Sequence, residues 1–92
     1  MGKPDSQKYE KGLLRKMTPA NIREPQETDY AEVAFLESAR FYRLFKKNPI
    51  YHQVVKLLRE AIAKKGVVQV RCASDESNVI VEVQDHDVSG LE

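Results

Sequence analysis

Few residues in this 92-residue chain have the chemistry of a site. Cys72 is the single thiol, and His52 and His86 are the two histidines. A catalytic thiol needs exposure and a cationic neighbour that lowers its pKa. Cys72 falls instead in the alternating row Val68, Val70, Cys72, where a cysteine behaves as a small hydrophobe. Asp85-His86-Asp87 sets an imidazole between two carboxylates, a donor set suited to a divalent metal. The spacing is not that of a zinc motif, and the run reads as a solvated tail. Asp75 and Glu76 likewise read as a solvated turn. The four glycines, Gly2, Gly12, Gly66 and Gly90, stand apart, so no phosphate-cradling loop is formed. No serine has a credible catalytic base beside it in the sequence. These residues predict no catalytic, cofactor-binding or metal site, and hence a protein that is not an enzyme.

Arg40-Phe41-Tyr42-Arg43-Leu44-Phe45-Lys46-Lys47 interleaves cations with aromatics. Such mixtures can contact phosphates and stack on bases. At helical spacing Arg40, Arg43 and Lys47 share one side, and Lys56 and Arg59 extend it if a second helix packs antiparallel. That basic face is one functional reading, nucleic-acid binding. The net charge of +1 is far from the strongly basic balance of a dedicated binder. The charge is also uneven: residues 1–66 are net basic, and residues 67–92 are net acidic with Arg71 as their one cation. Such a separation can steer a partner or be satisfied within the fold.

The elements that must position these residues are signalled locally. Asn48 suits an N-cap and Pro49 the first helical position. Ile50, Val54, Leu57, Leu58, Ala61 and Ile62 recur at helical spacing, and His52, Lys56, Arg59 and Glu60 fall opposite. Lys64 and Lys65 lie in the last turn, before a Gly66 stop. The period then becomes two: Val68, Val70 and Cys72, then Val79, Val81 and Val83, around the turn Ser74 to Asn78. This predicts a hairpin with both valine rows inward and Ile80 on the outer face. One register sets Arg71 opposite Glu82.

A further helix is expected from Thr28 or Asp29 to between Phe45 and Lys47. Asp29 and Glu32 are spaced as a cap, and Arg40, Arg43, Lys46 and Lys47 come late, as the helix dipole favours. It has two apolar sides. Tyr30, Val33, Ala34, Phe41, Leu44 and Phe45 form one, Phe35, Ala39 and Tyr42 the other, and Leu36 belongs to neither. Residues 1–27 hold three of the four prolines and read as a flexible tail. Residues 28–87 form the domain, and 88–92 a loose end with Leu91-Glu92 as a vector-derived remnant.

The expected fold is therefore a small α+β domain in the order α-α-β-β. Two strands alone are marginal, and their edges are open. The leading functional reading is a non-enzymatic protein-interaction or adaptor module that self-associates through the strand edge or the aromatic helix face. Its contacts would be Phe35, Ala39, Tyr42 and Ile80, and its partner another protein chain or a second copy. The alternative is the nucleic-acid binder using Arg40, Arg43, Lys47, Lys56 and Arg59. No apolar run approaches the roughly 20 residues of a membrane span. The N-terminus lacks the apolar centre of a secretory signal. Gly2 and Ser6 fit an acylation motif formally, but Pro4 interrupts it. A single cysteine excludes an internal disulfide. These features predict a cytoplasmic protein without cofactors.

Overall fold

The computed structural model describes residues 12–85. Among them the order is β1 (Arg15–Met17), β2 (Pro19–Arg23), β3 (Tyr30–Phe35), β4 (Phe41–Phe45), α1 (Tyr51–Lys64), β5 (Val68–Cys72) and β6 (Ile80–Asp85). The strands form two antiparallel sheets, β1-β5-β6 and β2-β3-β4. The expected α-α-β-β order is thus wrong: the described residues hold one helix, and the strands come first.

The expected helix over 28–47 is the β3–β4 hairpin. Ala31, Val33 and Phe35, then Tyr42 and Leu44, are buried, and each alternates with a more exposed neighbour. That is period two. Tyr30 pairs with Phe45, Glu32 with Arg43 and Val33 with Tyr42 across the strands. Plotted on a helix, the residues of one sheet face scatter over two sides. The two apolar sides of the supposed helix therefore marked strand pairing. The acidic-then-basic order has the same origin, since antiparallel pairing brings Glu32 opposite Arg43. On the outer face Tyr30 and Phe45 meet edge to face at 5.8 Å, and the Arg43 guanidinium lies 4.8 Å from the Tyr30 ring.

Residues 12–27, expected within a flexible tail, supply β1 and β2. β1 adds to β5, with Arg15 opposite Val70 and Met17 opposite Val68. β2 adds to β3, with Ile22 opposite Val33 and Arg23 opposite Glu32. Thr18 is the one residue between them, so the chain passes from sheet to sheet there. Before β1, the Gly12 N–H donates to the Cys72 carbonyl at 2.8 Å. A Cβ on Gly12 would meet the Ser74 backbone and Asp75 Oδ1 at 3.0 Å, so any larger residue here would press these neighbours aside by a few tenths of an ångström. Asp75 is correspondingly not a bystander: its Oδ1 accepts from the Leu13 N–H at 2.9 Å and faces Arg15 at 3.6 Å.

The β5–β6 hairpin has Arg71 opposite Glu82, joined at 3.0 Å, as the cross-strand argument expects. The inward row differs. The register shifts between Arg71 and Cys72, and Cys72 pairs with Ile80. This bulge reverses the facing beyond it. Ile80 is fully buried, while Val79 and Val81 are only partly so. Of the two edges expected to be open, that of β5 is paired, while β6 stays at the edge of its sheet and, among the described residues, has a neighbour only where it begins. β1 covers β5, and at β6 the Arg43 N–H donates to the Asn78 carbonyl at 2.8 Å beside a parallel bridge to Val79.

The helix α1 packs on β2 and β6 through Tyr51, Val54, Val55, Leu58 and Ala61. Its 14 residues begin after an Asn48 turn and not at an Asn48 cap. Asn48 Oδ1 accepts from the Ile50 N–H and its carbonyl from the Tyr51 N–H, both at 2.9 Å. Asn48 Nδ2 donates to the Val81 carbonyl at 3.3 Å, which ties the helix start to β6. Leu44, Leu58, Ile80, Val33, Val54, Val68 and Val70 form the fully buried centre between helix and sheets. Each such side chain contributes about 1.5–3 kcal/mol by leaving water. No helix among the described residues is long and apolar enough to cross a membrane.

At the helix end, Lys65 takes the left-handed conformation (φ 58°, ψ 40°) expected of a glycine. The Gly66 N–H reaches the Ala61 carbonyl at 2.8 Å and the Lys65 N–H the Ile62 carbonyl at 3.2 Å. Glycine avoids the Cβ clash of this conformation. Lys65→Gly is therefore expected to stabilise the fold by about 1 kcal/mol, raising Tm by about 4–8 °C in calorimetry.

Candidate functional site

The sharpest exposed apolar feature is the β3–β4 turn. Leu36 is 71% and Phe41 58% exposed, and Ala39 between them is also exposed. Strand alternation causes this. Phe35 and Tyr42 point inward and meet edge to face at 5.2 Å, so their neighbours Leu36 and Phe41 lie outside.

The turn is tied down from two sides. On one side is Thr18, at the junction of β1 and β2. Its carbonyl accepts from the Leu36 N–H at 2.9 Å. Its own N–H donates to Glu37 Oε1 at 2.8 Å, and its hydroxyl donates to Glu37 Oε2 at 2.7 Å. Burial disfavours the Glu37 carboxylate, but the Thr18 N–H and hydroxyl, with Glu37's own N–H, outweigh it and hold the carboxyl below its usual range. On the other side is the β5–β6 turn. Arg40 Nη1 donates to the Glu76 carbonyl at 3.2 Å and Asn78 Nδ2 to the Phe41 carbonyl at 3.1 Å. Within the turn, Ser38 Oγ accepts from the Arg40 N–H at 3.1 Å. Beside it an open groove of about 400 Å³ is lined by Thr18, Pro19, Ala20, Leu36, Ile62 and Lys65.

Of the contact residues expected from the sequence, Ala39 alone is exposed. Phe35, Tyr42 and Ile80 are core, and Ile80 is not on the outer face. The basic residues share no helical face. Arg40 is in the β3–β4 turn, over the Tyr42 ring at 5.4 Å, Arg43 is on β4, and Lys47 follows it. Lys56 and Arg59 are on α1, where Arg59 pairs with Glu24. Leu36, Glu37, Phe41 and Thr18 are the residues that sequence reasoning passed over. A signal existed, since Leu36 fitted neither side of the supposed helix.

Cys72 is half-buried, and burial pushes its thiol up against the pull of Arg15 and Arg40. His52 is exposed on α1, its ring 5.2 Å from that of Tyr51. Asp85 is exposed at the end of β6, while His86 and Asp87 lie outside the described residues. Among the described residues no three potential metal ligands come together.

A second polar cluster joins the end of β2 to α1. Glu24 accepts from the Tyr51 hydroxyl at 2.7 Å and from Arg59. The bond from Arg59, then that from Tyr51, with the charges of Arg59 and Lys46, lowers the Glu24 pKa against burial. Burial, then the bond to Glu24 and its charge, pushes Tyr51 up to about 12. Lys46 Nζ caps the adjoining loop, donating to the Pro25 and Thr28 carbonyls at 2.7 and 2.8 Å.

This arrangement defines a small, mainly β domain with a helix across two sheets, built to present one rigid turn. No protein family matches the chain, and no curated protein does. Among solved structures, the crystal structure of pro-protein-glutaminase shares the fold, with a TM-score of 0.68 and 24% identity over 83% of this chain. A mutant of pro-protein-glutaminase matches with a TM-score of 0.69 and 22% identity over 84%. In both, the match spans 27% of the longer chain. These figures establish the fold. They run against the expected non-enzymatic protein-interaction or adaptor module, because the same architecture occurs within pro-protein-glutaminase, an enzyme. The nucleic-acid reading loses its basis as well, since the basic helical face does not exist.

Stability should follow the Glu24–Tyr51 cluster at both ends of the pH scale. Glu24's folded pKa is lowered, so its contribution is present above the unfolded carboxyl value of about 4.3 and fades as acid titrates the folded group. Tyr51's is raised, so its contribution is present below about 10 and fades towards about 12. In urea unfolding, Tyr51→Phe should cost about 1 kcal/mol at neutral pH. The gap to the wild type should narrow in alkali, as the wild-type phenol ionises.

Proposed function

We propose that this chain is a pro-domain-type unit of a protein-glutaminase-like enzyme, which docks on a catalytic domain and keeps it inactive. The observation that carries this is the fold it shares with part of pro-protein-glutaminase. The chain corresponds to about a quarter of that protein's length, as one unit beside a larger one would. Its own chemistry agrees with a covering role. Cys72 is half-buried with a raised pKa, the opposite of an activated nucleophile.

The β3–β4 turn is the docking element. Leu36, Ala39 and Phe41 project from a backbone already held at Thr18 and Asn78. A fully buried Leu or Phe side chain gains about 1.5–3 kcal/mol by leaving water. Ordering a free side chain on binding costs about 0.5–1.5 kcal/mol, and a preformed turn has less to order. Two apolar anchors on a rigid turn suit a concave, mostly apolar cleft, which is the usual form of an active site. Occupying that cleft excludes a protein substrate without any reaction by this chain.

Added in trans to protein-glutaminase freed of its pro-segment, the chain should slow ammonia release from protein-bound glutamine and compete with the protein substrate. Phe41→Asp should weaken this inhibition by about tenfold or more while leaving thermal unfolding unchanged. Full activity at a saturating excess of the wild-type chain would show that it does not dock there.

A further inference from the structure

Leu36 and Phe41 are turned away from the core, so core packing does not hold the segment between them. What holds it is polar: Arg40 and Asn78 brace the Phe41 side, and on the Leu36 side the side-chain bonds are concentrated on Glu37. The Glu37 carboxylate accepts two bonds from Thr18, one from the N–H at 2.8 Å and one from the hydroxyl at 2.7 Å. A third bond, Leu36 N–H to the Thr18 carbonyl at 2.9 Å, closes the same contact. Thr18 sits between β1 and β2, each paired to a different sheet, so it is anchored from both directions. Glu37 thus links an exposed turn to the residue at which the chain passes from one sheet to the other.

We infer that Glu37 is a positioning residue for docking: it holds Leu36 and Phe41 in their binding geometry and adds little to the stability of the free domain. The inference rests on the docking role proposed above. Glu37 itself is exposed, and exposed polar contacts contribute modestly to folding. Their loss nevertheless frees the turn, and a free turn must be ordered again on binding.

Two features of the geometry make the role separable from charge. A glutamine at 37 can accept from the Thr18 N–H through its oxygen and donate to the Thr18 hydroxyl through its amide, since a hydroxyl does both. An alanine can do neither. Likewise Ser at 18 keeps both donors, whereas Val keeps the shape and loses the hydroxyl.

The test measures inhibition of pro-segment-free protein-glutaminase together with hydrogen exchange of the Thr18 amide, whose acceptor is Glu37 Oε1. Glu37→Ala should weaken inhibition by about tenfold and deprotect the Thr18 amide, with thermal unfolding close to wild type. Thr18→Val should lie between. Glu37→Gln and Thr18→Ser should retain wild-type inhibition. If Glu37→Ala inhibits as well as the wild type, the inference is wrong. Loss of inhibition in Glu37→Gln equal to that in Glu37→Ala would overturn it too, by making charge the cause. A fall in Tm that accounts for the lost inhibition would reduce Glu37 to an ordinary structural residue. Failure of the wild-type chain to inhibit at all would remove the docking role itself, and this role of Glu37 with it.

Discussion

The pairing of residues 15–23 with two sheets at once is the constraint on which this domain depends. β1 completes the edge of β5 and β2 completes the edge of β3, with Thr18 alone between them. Without that segment the molecule would be two hairpins and a helix, and two-stranded hairpins are marginal in water. With it, each hairpin becomes a three-stranded sheet, and the sheets are covalently continuous. The second junction, where β4 meets the start of β6 through Arg43 and Asn78, closes the opposite side. α1 then covers a surface that both sheets contribute, and the buried centre draws on both, from Val33 and Leu44 to Val68, Val70 and Ile80.

The same corner organises the exposed surface. Because Thr18 is held through both neighbouring strands, it offers a fixed N–H, hydroxyl and carbonyl to residues that have no core to rest on. Leu36 and Glu37 use all three. The β5–β6 turn braces the other flank through Glu76 and Asn78. The exposed apolar tip thus rests on a polar brace and not on core packing.

Much of the second half was legible. The helix over 51–64, its stop near Gly66, the β5 and β6 strands and the Arg71–Glu82 pair all follow from short-range signals. The details that escaped are small backbone events. Lys65 takes the left-handed position one residue before the glycine, and a one-residue bulge turns Ile80 inward in place of Val79 and Val81. The first half was misread for a different reason. Glu32 before Arg43, and Asp29 before Lys46, suit both a helix, whose dipole favours acids at its start and bases at its end, and an antiparallel hairpin, which sets the two opposite each other. The aromatic-rich run from Tyr30 to Phe45 favoured strands. The exposed tip was hidden by the same error, since a turn drawn as mid-helix has no apex.

The sequence by itself determined the helix and two strands of 48–85, because helical spacing and alternation act between residues close in the chain. It also determined which side chains were scarce enough to exclude obvious metal or phosphate motifs. Only the tertiary structure decided that residues 12–23 belong to the sheets, that Ile80 and Tyr42 are core, and that Leu36 and Phe41 are the exposed pair. Those outcomes rest on pairings such as Met17 with Val68 and on the contact of Glu37 with Thr18. A strand edge has no preference for a partner near in sequence, and its hydrogen bonds are satisfied equally well by a segment fifty residues away. Nothing in the period of residues 15–23 names β5 and β3 as neighbours, so the site built on that corner became visible only once the chain was folded.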